Sequence, residues 1–461
     1  MVDEREVPVS RIVVIGGSST GLLAAAALAG PGRDVTVVER DVFPEAARPR
    51  AGVPQGNQAH VFLYRGLGAA EELLPGLRQD LLLAGAVPVN GGQLLWLTER
   101  GWLPTRSGYE VLSATRPLLE QVIRRRTLDL AHVTARSGTR VVGLDRGDSG
   151  WAVQLDDGST LVADLVVDAS GRGSRLPHWL ADLGVPVPAA RTVDARVGYA
   201  TRIYRDGPPV LAGCAGIVIA ATPERPVGAL ALPAENGSWI VSAIGLGEQR
   251  PPRDNDAFES FLADLADPAL SDLVAHCQPV TDVAVYRQTA NLRHPYERVL
   301  RWPHGLLVAG DALCAFNPVY GQGITVGALQ ALELRRAARR GLRPSGCGRL
   351  QRQLATTVNT PWSIATSTDR SFPTADVGQS RLQALLGAWS GELATLSIHG
   401  NRRASDSMSR VYNLLDPPLL LLHPALVAAA VSSRLLGHGP VTPRPAVLDQ
   451  LGRASVTAGR P

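Results

Sequence analysis

The sequence predicts an α/β fold: a parallel sheet opened by a βαβ unit, an inserted antiparallel sheet, and C-terminal helices. Three observations predict it. A buried-strand pattern at 11–15, a glycine-rich turn at 16–21, a small-residue helix at 22–29 and a second strand at 34–39 make a βαβ start, and a parallel sheet follows from it. Strand patterns at 196–204, 215–221, 227–232 and 238–246 follow one another without long helices, which is the mark of an antiparallel sheet. From residue 350 to 437 the pattern is helical, with several proline breaks.

The elements between these landmarks read in order. Residues 48–60 are a loop rich in Gly, Pro and polar side chains, and a helical pattern starts at Leu67. Residues 88–102 are strand-like, with Gly91-Gly92 as a turn. Residues 116–130 predict a helix with Thr115 as N-cap and Pro117 in its first turn. Residues 139–144, 151–155 and 160–168 predict a meander whose hairpin is marked by Asp156-Asp157-Gly158. Residues 254–266 and 270–276 read as helices, 305–309 as a buried strand and 323–339 as a long helix. The leucines at 419–422 read as core or as pocket lining, with core favoured, and the chain beyond Val441 reads as a frayed end.

Length and composition bound the function. A chain of 461 residues predicts two to three domains. All 46 basic residues are arginine, which excludes lysine Schiff-base chemistry and a lysine-bearing phosphate loop. The net charge of +4 is dispersed, and the run Arg124-Arg125-Arg126 reads as a solvated helix face, so no nucleic-acid partner is expected. Cys214, Cys277, Cys314 and Cys347 have no zinc-ligand or C-x-x-C spacing; no metal is expected, and a reducing, cytoplasmic location is. The polar N-terminus lacks a signal-peptide core, the apolar stretch 21–29 is too short to span a bilayer, and 417–436 is interrupted by His423, Pro424 and Arg434.

The chemistry sits in two motifs. In Gly16-Gly17-Ser18-Ser19-Thr20-Gly21, Gly16 permits the tight turn and Gly21 permits close helix–sheet contact. The helix start offers free N–H groups to a pyrophosphate, and Ser18 stands where a glycine is usual. Glu39 ends the next strand about 20 residues on, where an acid accepts from an adenosine ribose. This fingerprint does not choose between NAD and FAD. The second motif does: Gly310-Asp311 follows a buried strand, and Asn317-Pro318-Val319-Tyr320-Gly321-Gln322-Gly323 leads into the long helix. Asp311 can bind a ribityl chain, and Gly321 to Gly323 can seat a flavin edge on the positive helix end. The expected architecture is a Rossmann-type FAD-binding domain (1–80, 105–175, 285–345), an inserted antiparallel-sheet substrate domain (81–104, 176–284) and a helical region (346–461).

These segments, with R50-A-G-V-P-Q-G, D164-L-V-V-D-A-S-G-R-G-S-R175 and G198-Y-A-T-R202, resemble the class A flavin monooxygenases of the para-hydroxybenzoate hydroxylase fold. The match is closest to the bacterial polyether epoxidases of the lasalocid and monensin type. The resemblance implies that Arg116 contacts FAD, that Val141 offers its backbone to the adenine, and that Pro318 lies near the reactive edge of the ring. Ser19 and Arg40 complete the candidate cofactor-binding set. It further implies oxygen transfer by a flavin C4a-hydroperoxide to an apolar, polyketide-like substrate, with no catalytic side chain assigned. Two departures bear on this. The family's Asp-Gly near residue 170 is Ser170-Gly171 here, so the electron donor is NAD(P)H or a separate flavin reductase. Asn57-Gln58 replaces a basic pair, leaving His60 alone and more structural than catalytic. Ser113 and Ser174 lack triad context. The alternative is a redox-neutral cyclase of the [4+2] type that uses FAD as a structural element.

Overall fold

The computed structural model describes residues 9–106, 108–147 and 150–458; the polar stretch before Val9 lies outside them. Strand β1 (Arg11–Ile15) leads through the glycine turn into helix α1 (Ser19–Leu28) and back to β2 (Asp34–Glu39). Helix α2 (Arg116–Leu128), β3 (Val133–Ser137), β4 (Leu165–Asp168), β5 (Leu306–Val308) and helix α3 (Gly323–Arg339) complete the nucleotide-binding frame. The five strands form one all-parallel sheet in the order β5-β4-β1-β2-β3. Helix α1 is apolar all round because it is covered all round, by the sheet, α2 and α3. Leu22 and Leu23 are wholly buried, and truncating either to alanine costs about 2–5 kcal/mol.

β3 has no counterpart in the sequence reading. Only Val133 of its five residues is buried, so an edge strand paired at Val35↔Val133 leaves no alternation to read.

The second sheet runs in the order Gln278–Pro279, Val197–Arg205, Ser238–Leu246, Val227–Ala234, Ile217–Ile219, Leu95–Thr98, Gly101–Trp102, with Ala284–Tyr286 also on Val197–Arg205. Its long strands are antiparallel as expected, but Leu95–Thr98 joins Ile217–Ile219 in parallel. That pairing brings residues from far upstream into this sheet.

Three expectations need correction. The chain beyond Val441 is not frayed: Ala446–Ala458 is a helix that buries Leu448 and Leu451 on the apolar cluster beneath the second sheet. Arg444 anchors its start on Asp267 at 2.8 Å. The leucines at 419–422 are not a core run: none is fully buried, although Leu421 packs against the cluster of Leu393, Leu396 and Leu426. Prolines 417 and 418 confine them to one 3-10 turn, and Leu419 is 73% exposed. Arg124 is not on a solvated face: it is buried, stacked 5.0 Å over Phe43, and donates to the Pro44 carbonyl at 2.5 Å.

Helix α4 (Asn359–Asp369) belongs to the helical region and ends against the loop after β5. Among the described residues no helix is long and apolar enough to cross a membrane.

Candidate cofactor site

The first motif is built so that only glycine fits. Gly16 has φ +102°, and a β-carbon there would meet the Ala169 carbonyl oxygen at 2.4 Å. One at Gly21 would meet the Gly16 carbonyl oxygen at 1.9 Å. Ser18 is the N-cap of α1, yet its hydroxyl does not cap the helix. It donates to Glu120 and accepts from Arg116 Nη2 at 2.9 Å. The first turn of α1 carries no acid, and Ser19 Oγ is buried without a partner. The helix start keeps donors available for an anion.

Glu39 accepts from Gly17 N at 2.7 Å and Asp41 N at 3.0 Å, which fixes it beside the turn. Gly138 N and Thr139 N donate to the carbonyls of Asp41 and Glu39, each at 3.0 Å, and so bring Val141 alongside. Val141 opens the strand Val141–Gly147 and is buried. Arg40 stays apart: its side chain is half exposed and, among the described residues, pairs with Asp41 at 3.8 Å.

A buried charge network lies between these parts. Arg50 pairs with Glu39 and Asp41, each at 3.1 Å, and with Glu120 at 3.2 Å. Arg116 pairs with Glu120 at 2.9 Å. Burial pushes the Glu120 carboxyl up, but Arg116, Arg50 and the Ser18 hydroxyl outweigh it and hold the group below the usual carboxylate range. Arg50 Nη2 remains buried and unpaired. Arg50 was quoted in a motif and Glu120 lay on a predicted helix, but neither was assigned a role. The i,i+4 spacing of Arg116 and Glu120 was the available signal.

The second motif touches the first through Thr20. A β-carbon at Gly310 would meet Thr20 Cγ2 at 2.9 Å, and one at Gly327 would meet Thr20 Oγ1 at 2.2 Å. These two glycines let α1 and α3 close on each other. Among the described residues nothing hydrogen-bonds the Asp311 carboxylate, which lies 3.8 Å from a β-carbon built on Gly323. Burial raises its pKa, with Arg172 and Arg116 opposing. Gly321 has φ +63° and open space on its side-chain face. Gln322 caps α3 and is 1% exposed, with both amide atoms unpaired. Pro318 lies in the turn Pro318–Tyr320 just before it.

Ser170 is turned inward. Its hydroxyl donates to Asp168 Oδ1 at 2.5 Å, and the Ser174 hydroxyl donates to Oδ2 at 2.5 Å. The local acid is therefore Asp168, fully buried and raised in pKa by that burial. Ser174 is a partner of this acid and no nucleophile. His60 lies against Arg116 on Ala59–Phe62. Burial and Arg116 lower its pKa to about 4, so it is neutral near pH 7. The Gln58 carbonyl 2.8 Å from Nδ1 selects the Nδ1–H tautomer.

An adenosine diphosphate joined to a polyol and a flat ring fits these residues. Bound there, it would offer partners to the orphaned Ser19, Arg50 and Gln322 atoms and to Asp311, and the open face of Gly321 would leave it room. The fold and site define a flavoprotein of Rossmann type. The family described as "FAD binding domain" matches residues 9–341, and the chain belongs to that family of monooxygenase-like flavoproteins.

Protein Rv3254 of Mycobacterium tuberculosis is 33% identical over 386 residues, 79% of this chain and 81% of that protein. The ubiquinone hydroxylase UbiL of Rhodospirillum rubrum is 28% identical over 73% of this chain and 75% of its own length. Among solved structures, the Diels-Alderase PyrE3 of pyrroindomycin biosynthesis has a TM-score of 0.58 at 18% identity, covering 88% of this chain and 81% of that one, and so shares the fold.

Proposed function

We propose that this chain is an FAD-dependent oxygenase that epoxidises or hydroxylates an apolar, polyketide-like intermediate, as the resemblance to polyether epoxidases implies. One observation carries the reading. An apolar cluster of Val197, Tyr199, Ile244, Leu246 and Tyr286, with Phe372 and Ala375 against it, adjoins the Asn317–Gly323 loop through the Tyr199–Asn317 hydrogen bond. A greasy substrate would be held there, beside the end of the site that takes the flavin ring. When bound, reduced FAD would supply the two electrons that activate dioxygen, with dioxygen giving one atom to the substrate and the other to water.

The protein's residues do the rest. Asp311 holds the ribityl hydroxyls. Gly16, Ser18, Ser19, Gly21 and the Arg116–Glu120 pair receive the pyrophosphate end, and Glu39 receives the ribose. The start of α3, with Gly321, Gln322 and Gly323, favours negative charge on the reduced ring. The apolar walls exclude water.

Ser170, hydrogen-bonded to Asp168, offers no carboxylate at the position where the wider family serves NAD(P)H, and this favours a separate flavin reductase as electron source. The same observation supports a second reading, a redox-neutral cyclisation with FAD as a structural element, to which the PyrE3 fold is a parallel. The deciding experiment follows oxygen uptake and product with candidate polyene substrates, with and without chemically reduced FAD. Stoichiometric oxygen consumption supports the oxygenase. Product formed without oxygen or reductant overturns it in favour of the cyclase.

A further inference from the structure

Asp369 ends α4, outside the residues that define the family, and is 2% exposed. It accepts from Asn291 Nδ2 at 2.6 Å, Asn317 Nδ2 at 3.1 Å and Tyr320 Oη at 2.6 Å. Because the Asn317 amide nitrogen faces this carboxylate, its Oδ1 must face the other way. There it accepts from the Tyr199 hydroxyl at 2.5 Å, and the Tyr199 oxygen accepts from Val319 N at 3.0 Å. Asn291 Oδ1 accepts from Asn317 N at 2.9 Å and closes the ring of bonds. The side-chain donors Asn317 Nδ2 and Tyr320 Oη of the turn are thus oriented by one acid on a helix that carries no cofactor motif.

We infer that Asp369 is a positioning residue: its carboxylate sets the conformation of the turn that bears Pro318 and, through Asn317, the direction of the Tyr199 hydroxyl beside the flavin ring. This rests on the FAD reading above. A carboxylate can accept from three donors at once, whereas its protonated form must donate with one oxygen, so that the Tyr320 hydroxyl turns to accept from it or an asparagine amide is released. The groups that face Asp369 are Tyr320 on the turn, Tyr199 on Val197–Arg205 and the like-charged Asp194 preceding it. No cation pairs with it among the described residues. Burial is the main force raising its pKa, to about 6, so the turn responds to pH in a range where FAD proteins are handled.

The test uses the full chain loaded with FAD. The visible spectrum and reduction potential of the bound flavin are followed from pH 5 to 8 in the wild type, in Asp369→Asn and in Tyr199→Phe. In the wild type a spectral transition is expected with a midpoint near pH 6. In Asp369→Asn it should vanish, while the FAD dissociation constant at pH 8 changes less than threefold. Tyr199→Phe keeps the acid and the direct Asn317–Val319 bond but removes the hydroxyl that Asn317 orients, and should reduce the amplitude by at least half. An unchanged transition and potential in Asp369→Asn overturns the inference. If that variant does not fold, an unaltered transition in Tyr199→Phe does the same. A wild type that takes up no FAD defeats instead the reading of the site.

Discussion

The two ends of the cofactor site are built on opposite principles. The nucleotide end is a cluster of full charges, with Glu39, Asp41, Arg50, Arg116 and Glu120 paired and largely buried. At the proposed ring end no ion pair occurs among the described residues: Asn291, Asn317, Tyr199 and Tyr320 are organised by hydrogen bonds around one buried acid. A paired charge cluster is stiff and tolerant of pH, because removing any partner strands another charge. A neutral network around one titratable group can be reset by a proton. Affinity should therefore reside at the first end, and control of the ring's environment at the second.

The largest test of this division is Asp311, whose carboxylate has no hydrogen-bond partner among the described residues. Asp311→Ala should abolish FAD uptake, giving a colourless purified protein by absorbance at 450 nm. Full FAD content in that variant would falsify the convergence of the two motifs.

The next contrast is in stability. The Asp369 carboxyl titrates near 6 in the folded protein and near 3.8 when unfolded. The native state therefore holds a proton that the unfolded chain has lost between those values. The associated stability, roughly 3 kcal/mol, is present below pH 4 and lost as pH rises through 6. His60, lowered to about 4, acts in the opposite sense across the same window, since its buried neutral form resists the proton gained on unfolding. The wild-type curve alone conceals both effects. The difference between wild type and Asp369→Asn, from urea unfolding at pH 4.5 and 7.5, should isolate the first. A difference that does not change with pH would show that Asp369 does not titrate in this range.

At the nucleotide end, Glu39→Ala removes a charged acceptor and should weaken FAD by about 1.5–3 kcal/mol, roughly ten- to hundredfold in dissociation constant. The flavin potential should stay fixed, because the ring end is untouched. A shifted potential with unchanged affinity would invert the comparison.

The two ends also differed in how far the sequence revealed them. The glycine turn, Glu39, the Thr115 N-cap and the Gly310–Gly323 stretch were readable because each is a local motif within one strand–turn–helix unit, whereas a role for Arg116 came only from the resemblance. Arg50 and Glu120 were visible but unassigned, since a pairing across 70 positions has no local pattern. Asp369 had no signal at all. It is a lone acid on a polar helix, and its importance comes from Asn291 and the Asn317–Tyr320 turn reaching it from two remote segments, with Tyr199 joined through Asn317. The fold follows the same rule. Strands flanked by turns and buried on a face were found, whereas edge strand β3 and the helix Ala446–Ala458 were missed because their placement is decided by partners remote in sequence.

The smallest effect tests whether the two regions are mechanically separate. Thr115 caps α2 by accepting from Leu118 N at 3.4 Å. It also receives Glu235, which sits in the turn between Val227–Ala234 and Ser238–Leu246, with Glu235 Oε2 accepting from Thr115 N at 3.0 Å. This contact joins the second sheet to the helix that bears Arg116. Thr115→Ala keeps that backbone contact but removes both the cap and the Thr115 hydroxyl's own hydrogen bond to Glu235 Oε1, and should cost about 1–2 kcal/mol, read as a lower urea midpoint with an unchanged slope. FAD affinity should hold within twofold, because Arg116 remains fixed by Glu120 and Ser18 rather than by the cap. A tenfold loss of FAD in Thr115→Ala would mean that the second sheet reaches the phosphate end through this joint, and the charge cluster could no longer be treated as stiff in its own right.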